Sequence, residues 1–196
     1  MPELKSLPHP VLIHIARLLN VPMKGLTAVI ELLDGGATVP FIARYRKEVT
    51  GNLDEVQIRD IQEKLEYFRE LEERRETVLS SIQEQGKLTP ELKAKIEATL
   101  EKAELEDLYL PYKPKRRTKA SIAREKGLEP LALYLWNQSD VTPLTEAAAQ
   151  FGLPFAEALE GARHIVAEMI SENAEFRKAM RAMMMAEGRV DWKSVV

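Results

Sequence analysis

The sequence predicts an all-α fold: a multi-helical bundle or irregular helical array built around one long helix. Apolar residues recur at helical spacing along most of the chain, whereas the alternation typical of strands is nearly absent. Prolines and glycines fall where the periodic segments begin and end rather than inside them. At 196 residues the chain is long enough to bury a hydrophobic core.

Two short helices are predicted near the N-terminus. Pro10 begins the first helix, Pro22 begins the second, and Gly35 with Gly36 ends it. The apolar positions expected to face inward are Val11, Ile15, Leu18, Leu19, Leu26, Val29, Ile30 and Leu33. The tight connection between the helices is typical of a helix-turn-helix pair, and DNA reading by this pair is one hypothesis that such a weakly specific pattern raises.

The long helix is predicted over residues 54–85. Asp54 is a suitable N-cap, Gln57 completes a capping box, and Gly86 ends the helix. One face carries the apolar residues Ile58, Ile61, Leu65, Phe68, Leu71, Val78 and Ile82. Residues 69–76 are nearly all charged, and we interpret them as an exposed segment that neutralises itself through i,i+4 pairs. The length of this helix suggests a rod that spaces or braces other modules.

Shorter helices are predicted in the second half of the chain. Their expected ranges are 90–100, 104–110, 119–126, 130–136, 144–151, 155–172 and 174–187. Asn173 caps the last helix, and Gly188 closes it. Its residues Phe176, Met180, Met183 and Met184 are expected to pack inward. The alternative for these methionines, together with Met185, is an adaptable interaction surface, because flexible thioethers suit such surfaces.

The composition excludes several classes of protein. A net charge of −3 argues against a surface that attracts nucleic acid everywhere, so any phosphate binding must be local. The absence of cysteine removes disulfides, thiolate metal sites and thiol catalysis. No signal peptide and no run of membrane-spanning length is predicted. Glycine-rich phosphate loops, a serine nucleophile elbow and a zinc-protease motif are all lacking from the sequence, so we predict no enzymatic activity and no cofactor.

No metal site is predicted either. His164 and Glu168 are four residues apart and could share one face of a helix, but the sequence offers no third ligand beside them. A capped or solvent-exposed histidine is the favoured interpretation.

Residues 104–119 are the segment most informative about function. An acidic run is followed by Tyr109 and Tyr112 and then by a dense group of cations. These cations are Lys113, Lys115, Arg116, Arg117 and Lys119. Prolines within the segment keep the cations out of a regular helix, and cations on a stiff loop beside tyrosines are suited to hold phosphate and stack on a base. The alternative is that nearby Glu106 and Asp107 pair with the arginines within the protein.

Two longer segments carry a family resemblance. They are VPFIARYRKEVTGNLD, residues 39–54, and ELEDLYLPYKPKRRT, residues 104–118. With YFRELEERRETVLSSIQEQGKL between them, they closely resemble the N-terminal helical region of the Tex family of bacterial transcription accessory proteins, from about residue 21 to residue 185. The resemblance implies a cytoplasmic, nucleic-acid-binding factor. It also implies that a RuvC-like nuclease-fold domain, helix-hairpin-helix elements and an RNA-binding OB-fold barrel follow this region.

The first of these segments adds three candidate phosphate-binding residues, Arg44, Arg46 and Lys47. Phe41 and Ile42 are expected in the core. For Arg44, burial against carboxylates of a neighbouring helix is the favoured interpretation, and contact with phosphate is the alternative.

The sequence therefore predicts a non-enzymatic helical scaffold over residues 1–187, with candidate subdomains 1–102 and 103–187. We expect it to bind RNA or DNA weakly through local basic patches and to position downstream RNA-binding modules. Residues 188–196 are interpreted as the start of a truncated following domain. The alternative function is a protein-interaction module that docks on RNA polymerase, on other transcription proteins or on further domains of the same protein.

Overall fold

The computed structural model describes residues 7–114, 117–138 and 143–189, and the regular structure in these ranges is helical, without a strand. The predicted all-α class is confirmed. The chain forms two compact units, residues 1–102 and 103–196. No helix in the described ranges is both long enough and apolar enough to cross a lipid bilayer.

The first unit is organised around its longest helix. Its helices within the described residues are α1 (His9–Leu18), α2 (Met23–Asp34), α3 (Val39–Tyr45), α4 (Lys47–Thr50), α5 (Glu55–Glu84) and α6 (Pro90–Ala98). Helices α1, α2, α3 and α6 all pack against α5. Asn20, with a positive φ of 51°, makes the tight turn between α1 and α2.

Helix α5 confirms the predicted caps and the predicted apolar face. The amide of Gln57 donates to the Asp54 carboxylate at 2.8 Å, and the Gln57 side chain accepts from the Asp54 amide at 3.1 Å. The helix continues for 30 residues, about 45 Å at 1.5 Å per residue, and Gly86 follows it with a φ of 67°. All seven apolar positions named for this face are buried. Because other helices pack along it, α5 is the central helix of this unit.

Arg75 departs from the exposure predicted for the charged middle of α5. Its side chain is only 8% exposed and forms an ion pair with Glu72. Its Nε donates to the carbonyl oxygen of Ile96 at 3.1 Å, and its Nη2 donates to that of Thr99. Burial of this guanidinium is compatible with folding because its donors bind the carboxylate of Glu72 on α5 and two carbonyl groups at the end of α6.

Two neighbouring charges also reach beyond their own helix. Arg69 pairs with Asp34 of α2 at 2.8 Å, and Glu70 pairs with Lys102. The charged segment therefore ties α5 to other parts of its unit, in addition to facing solvent.

The second unit is built around α11 (Phe155–Glu172). Its other helices within the described residues are α7 (Lys102–Tyr109), α8 (Lys119–Glu125), α9 (Glu129–Trp136), α10 (Leu144–Ala149) and α12 (Ala174–Glu187), with a single 3-10 turn at Leu110–Tyr112. Helices α8, α9 and α10 pack against α11 around a core of Ala120, Ala123, Leu128, Leu131, Ala132, Ala148, Ala158, Ala162 and Ile165. A Cβ added to Gly161 would lie 2.4 Å from Leu128 Cδ1, so a larger residue there would require the Leu128 side chain to shift.

Two expectations about inward-facing residues are wrong. Leu18 is 53% exposed, because Val11, Ile15 and Ala16 supply the buried face of α1. The larger error concerns α12, whose predicted start and end are confirmed. Its Phe176, Met180, Met183 and Met184 are between 46% and 64% exposed, and Met185 is 89% exposed.

We predict that Arg75→Ala destabilises the protein by about 2 to 4 kcal/mol, because the buried carbonyl groups of Ile96 and Thr99 lose their charged donor. The measurement is urea denaturation followed by circular dichroism. Arg59→Ala is the control: Arg59 lies on the same helix, 57% exposed, in a surface pair with Glu55, and its loss should cost less than about 0.5 kcal/mol. Equal effects of the two substitutions would contradict a structural role for Arg75.

Candidate nucleic-acid interface

Helix α3 has a buried apolar face that leaves its aromatic residues outside. Val39, Ile42 and Ala43 are buried where α3 packs against α2 and α5. Phe41 and Tyr45 are four residues apart and share the opposite face, where they are 41% and 63% exposed. Burial of Ile42 is confirmed, but the expectation that Phe41 belongs to the core is wrong, since the three smaller side chains already fill the contact with α5.

The short helix α4 is held against α2 by a contact that requires glycine. A Cβ added to Gly25 would lie 2.6 Å from the carbonyl oxygen of Thr50, and Thr50 itself is fully buried. Gly51 ends α4 with a φ of 73°, in the left-handed region that glycine adopts readily. These constraints fix residues 46–50 against α2 and keep Arg46 and Lys47 exposed.

Together these helices present what we call the α3–α4 surface, formed by Phe41, Arg44, Tyr45, Arg46 and Lys47. The rings of Phe41 and Tyr45 have centroids 5.4 Å apart and are tilted by 46°. The Arg46 guanidinium lies 5.6 Å from the Phe41 ring centroid, within the range of a cation–π interaction.

The cations of the α3–α4 surface are available to an external anion. All three are exposed, and none forms an ion pair with another described residue. The sequence favours burial of Arg44 against carboxylates of a neighbouring helix. This prediction is wrong, because Arg44 is exposed.

The predicted cationic loop is described in part. Lys115 and Arg116 lie outside the described residues. Lys113, Arg117 and Lys119 are exposed. Arg117 pairs with Glu125 at 2.8 Å, with both side chains more than half exposed, and a pair of this kind contributes about 0 to 1 kcal/mol. Within the described ranges, Lys113 and Lys119 have no ion-pair partner.

The acidic run before the loop is engaged by α12. The Asp107 side chain, 5% exposed, accepts a hydrogen bond from Arg177 Nε and forms an ion pair with Arg181. Glu104 pairs with Lys178 at 2.7 Å. The alternative interpretation, in which Asp107 pairs with Arg117, is therefore wrong. The polar face of α12 turns toward these carboxylates, which explains why its apolar face is exposed.

The two tyrosines beside the cationic loop, predicted to stack on a base, are buried or half-buried. Tyr109 is 8% exposed, so its ring is buried, and Tyr112 is half-buried. Among the described residues, an exposed pair of neighbouring aromatic rings lies instead in the first unit, at Phe41 and Tyr45. The signal in the sequence is the four-residue spacing of these two aromatics on the face of α3 opposite Val39 and Ala43.

A shallow pocket of about 180 Å³ adjoins Lys119 between α8 and α11. Two of its basic side chains already face carboxylates: Lys126 pairs with Glu157 at 2.7 Å, and His164 lies 3.5 Å from Glu160. The pocket is also smaller than the roughly 300 Å³ at which small-molecule sites begin. It is a poor candidate for a ligand site.

The spacing of His164 and Glu168 does not create a metal site. Glu168 pairs with Arg124 and accepts a hydrogen bond from Thr118 at 3.2 Å. Within the described part of the chain, no three histidine, aspartate or glutamate side chains are grouped so that they could hold a metal ion.

Comparison with known proteins places this helical region in a family. Residues 9–83 match the family model of the Tex-like protein N-terminal domain. The chain is 51% identical to the transcriptional accessory protein Tex of Neisseria gonorrhoeae over 184 residues, which are 90% of this chain and 24% of that protein. The chain belongs to the Tex family. The membership predicted from residues 39–54 and 104–118 is confirmed.

Other relatives give the same result. Protein YhgF of Escherichia coli strain K12 is 55% identical over 159 residues, which are 79% of this chain and 21% of that protein. The human S1 RNA-binding domain-containing protein 1 is 35% identical over 153 residues, 75% of this chain and 15% of that protein. The chain thus spans about a quarter or less of the length of these relatives.

We predict that the double substitution Arg177→Ala/Arg181→Ala destabilises the second unit by about 3 kcal/mol, because Asp107 is left as a buried, uncompensated carboxylate. Guanidinium denaturation monitored at several wavelengths measures the effect. The control, Lys178→Ala, removes a cation that is 63% exposed and should change stability by less than about 0.5 kcal/mol. A double variant as stable as the control would show that α12 is not held by Asp107.

Proposed function

We propose that this Tex-family region is a non-enzymatic, cytoplasmic helical scaffold that contacts RNA or DNA through local groups of exposed cations. The observation that carries the proposal is the α3–α4 surface. There, Arg44, Arg46 and Lys47 are exposed within four residues, and none pairs with a carboxylate of the described residues. In a chain with a net charge of −3, such a group gives a local attraction for phosphate that the average surface does not.

The loop cations form a second group in this proposal. Lys113 and Lys119 are exposed, and Arg117 is held only by a solvent-exposed pair that a phosphate can replace. Lys115 and Arg116 are included from the sequence. Because α12 engages Glu104 and Asp107, those two carboxylates are not available to neutralise the loop.

The relatives support a role near nucleic acid. One is named as a transcriptional accessory protein, and another is named for an S1 RNA-binding domain. In relatives of which the matched region covers a quarter or less, a helical region with the 30-residue helix α5 is suited to position other modules. The cations would add sequence-independent contacts to whatever those modules bind.

We predict that Arg44→Ala/Arg46→Ala/Lys47→Ala weakens binding of the chain to single-stranded RNA and to duplex DNA, with little dependence on base sequence. Each lost phosphate contact should reduce the slope of log K against log salt concentration by roughly 0.7 to 0.9. Fluorescence anisotropy titrations at several salt concentrations measure both quantities.

The control for that experiment is Lys87→Ala/Lys93→Ala/Lys95→Ala. It removes the same amount of charge from exposed positions elsewhere in the first unit. If both triple variants lose affinity equally, net charge explains the binding and the α3–α4 surface does not. The corresponding change at Lys115, Arg116 and Arg117 tests the loop in the same assay.

A second candidate function is a protein-interaction module, and the exposed apolar side of α12 favours it. Phe176, Met180, Met183 and Met184 form what we call the methionine surface, with no buried member. Large apolar side chains grouped on a surface are typical of contact sites, and methionine adapts to varied partners. The partner that we propose for this second candidate function is RNA polymerase.

We predict that peroxide oxidises Met180, Met183 and Met184 faster than Met169, which packs against the core of the second unit. Mass spectrometry of timed samples measures each rate. If the second candidate is right, adding RNA polymerase should slow oxidation at the methionine surface while Met169 is unaffected. Unchanged rates at saturating polymerase would reject this partner.

A further inference from the structure

We propose that Phe41 and Tyr45 form a base-stacking site for single-stranded nucleic acid, with Arg44, Arg46 and Lys47 holding the backbone of the same strand. This inference rests on the proposed function and narrows it to a class of ligand. The site lies within the first unit, whereas the cationic loop belongs to the second unit.

The two rings are not required by the fold. Val39, Ile42 and Ala43 are the buried contact of α3 with its neighbours, whereas the side chains of Phe41 and Tyr45 are 41% and 63% exposed and contribute only part of the free energy that full burial would give them. Phe41 and Tyr45 are therefore surface aromatics on a helix that is otherwise fixed in place. A rigid aromatic surface is suited to binding because few degrees of freedom are lost when a ligand arrives.

The geometry suits unpaired bases. The two rings lie 5.4 Å apart at an angle of 46°, so they do not cover each other face to face, and each keeps area that a base can meet. Arg46 lies over Phe41 at 5.6 Å and supplies a planar guanidinium, which also stacks on bases. In a duplex the faces of the bases are covered by their neighbours, so a surface that binds by stacking selects single strands.

The charge at the site favours a polyanion over a protein partner. Aromatic residues and arginine are also common in protein interfaces. However, residues 44–48 carry three exposed cations and a single exposed carboxylate, Glu48, and the cations lack ion pairs with the described residues. Aromatic rings interspersed with unpaired cations are the combination that binds single-stranded nucleic acid without sequence preference.

The test compares ring-deficient and ring-conserving variants of the full 196-residue chain. Phe41→Leu/Tyr45→Leu keeps apolar side chains but removes both π faces, whereas Tyr45→Phe keeps the ring. Phe155→Leu, in the second unit, is the matched control, because Phe155 is 43% exposed. The probes are a fluorescent oligouridylate of roughly 15 nucleotides and a duplex of the same length, titrated by anisotropy at low salt.

We expect Phe41→Leu/Tyr45→Leu to lower the affinity for the oligouridylate by about tenfold or more, since each stacked base contributes about 5- to 150-fold. Affinity for the duplex should change by less than about twofold, and Tyr45→Phe and Phe155→Leu should bind as the unsubstituted chain does. Because leucine keeps an apolar side chain at these exposed positions, circular dichroism should be unchanged and the melting temperature should shift by only a few degrees in all variants.

Two results overturn the inference, and they are distinguishable. If Phe41→Leu/Tyr45→Leu binds the oligouridylate normally while Arg44→Ala/Arg46→Ala/Lys47→Ala does not, stacking is rejected and the electrostatic proposal stands. If the unsubstituted chain shows no salt-sensitive binding to either probe, the proposed function fails and this inference fails with it. The surface would then be assigned to a protein partner.

Discussion

The contact between Gly25 and Thr50 is the constraint on which the candidate interface depends. No side chain fits between α2 and the last turn of α4, because a Cβ at residue 25 would lie 2.6 Å from the Thr50 carbonyl oxygen. This approach fixes α4, and the burial of Ile42 and its neighbours fixes α3 on α5. The exposure of the aromatic and cationic residues then follows from the helical period rather than from flexibility.

Electrostatic interactions divide the charged residues into two groups. Arg75 and Asp107 are buried, and each binds polar or charged partners from another helix or its end, so they specify packing. The cations at residues 44–47 are exposed and have no such partners among the described residues. The net charge of −3 does not reveal this difference, because it sums every charged residue of the chain regardless of its partners. The proposed function depends on where unpaired cations lie on the surface and not on the total charge of the chain.

The sequence predicted well those features that depend on local interactions. The caps at Asp54 and Asn173 and the apolar face of α5 all follow from a few neighbouring residues, and the structure shows them as expected. Family membership was also readable, because residues 39–54 and 104–118 are long and irregular motifs.

The errors arose where tertiary contacts decide which face of a helix is buried. Periodicity identified the apolar side of α12, but Arg177 and Arg181 turn the polar side toward Asp107 and leave the methionines outside. In the seven-residue helix α3, apolar residues occur on both faces, so the sequence could not show that Phe41 faces solvent. Conversely, Tyr109 was predicted to stack on a base but is buried. The cationic loop was identified from its composition, whereas the aromatic half of the α3–α4 surface required the fold.

Photochemical cross-linking can show whether bases bind at the α3–α4 surface, because it reports which residues contact the bases. The chain would be irradiated in complex with an oligonucleotide that carries 4-thiouridine, digested, and analysed by mass spectrometry. We expect cross-links within residues 39–47, at Phe41 or Tyr45, that disappear when unlabelled single strand competes. Cross-links confined to the loop at residues 113–119, with none on α3, would contradict this expectation.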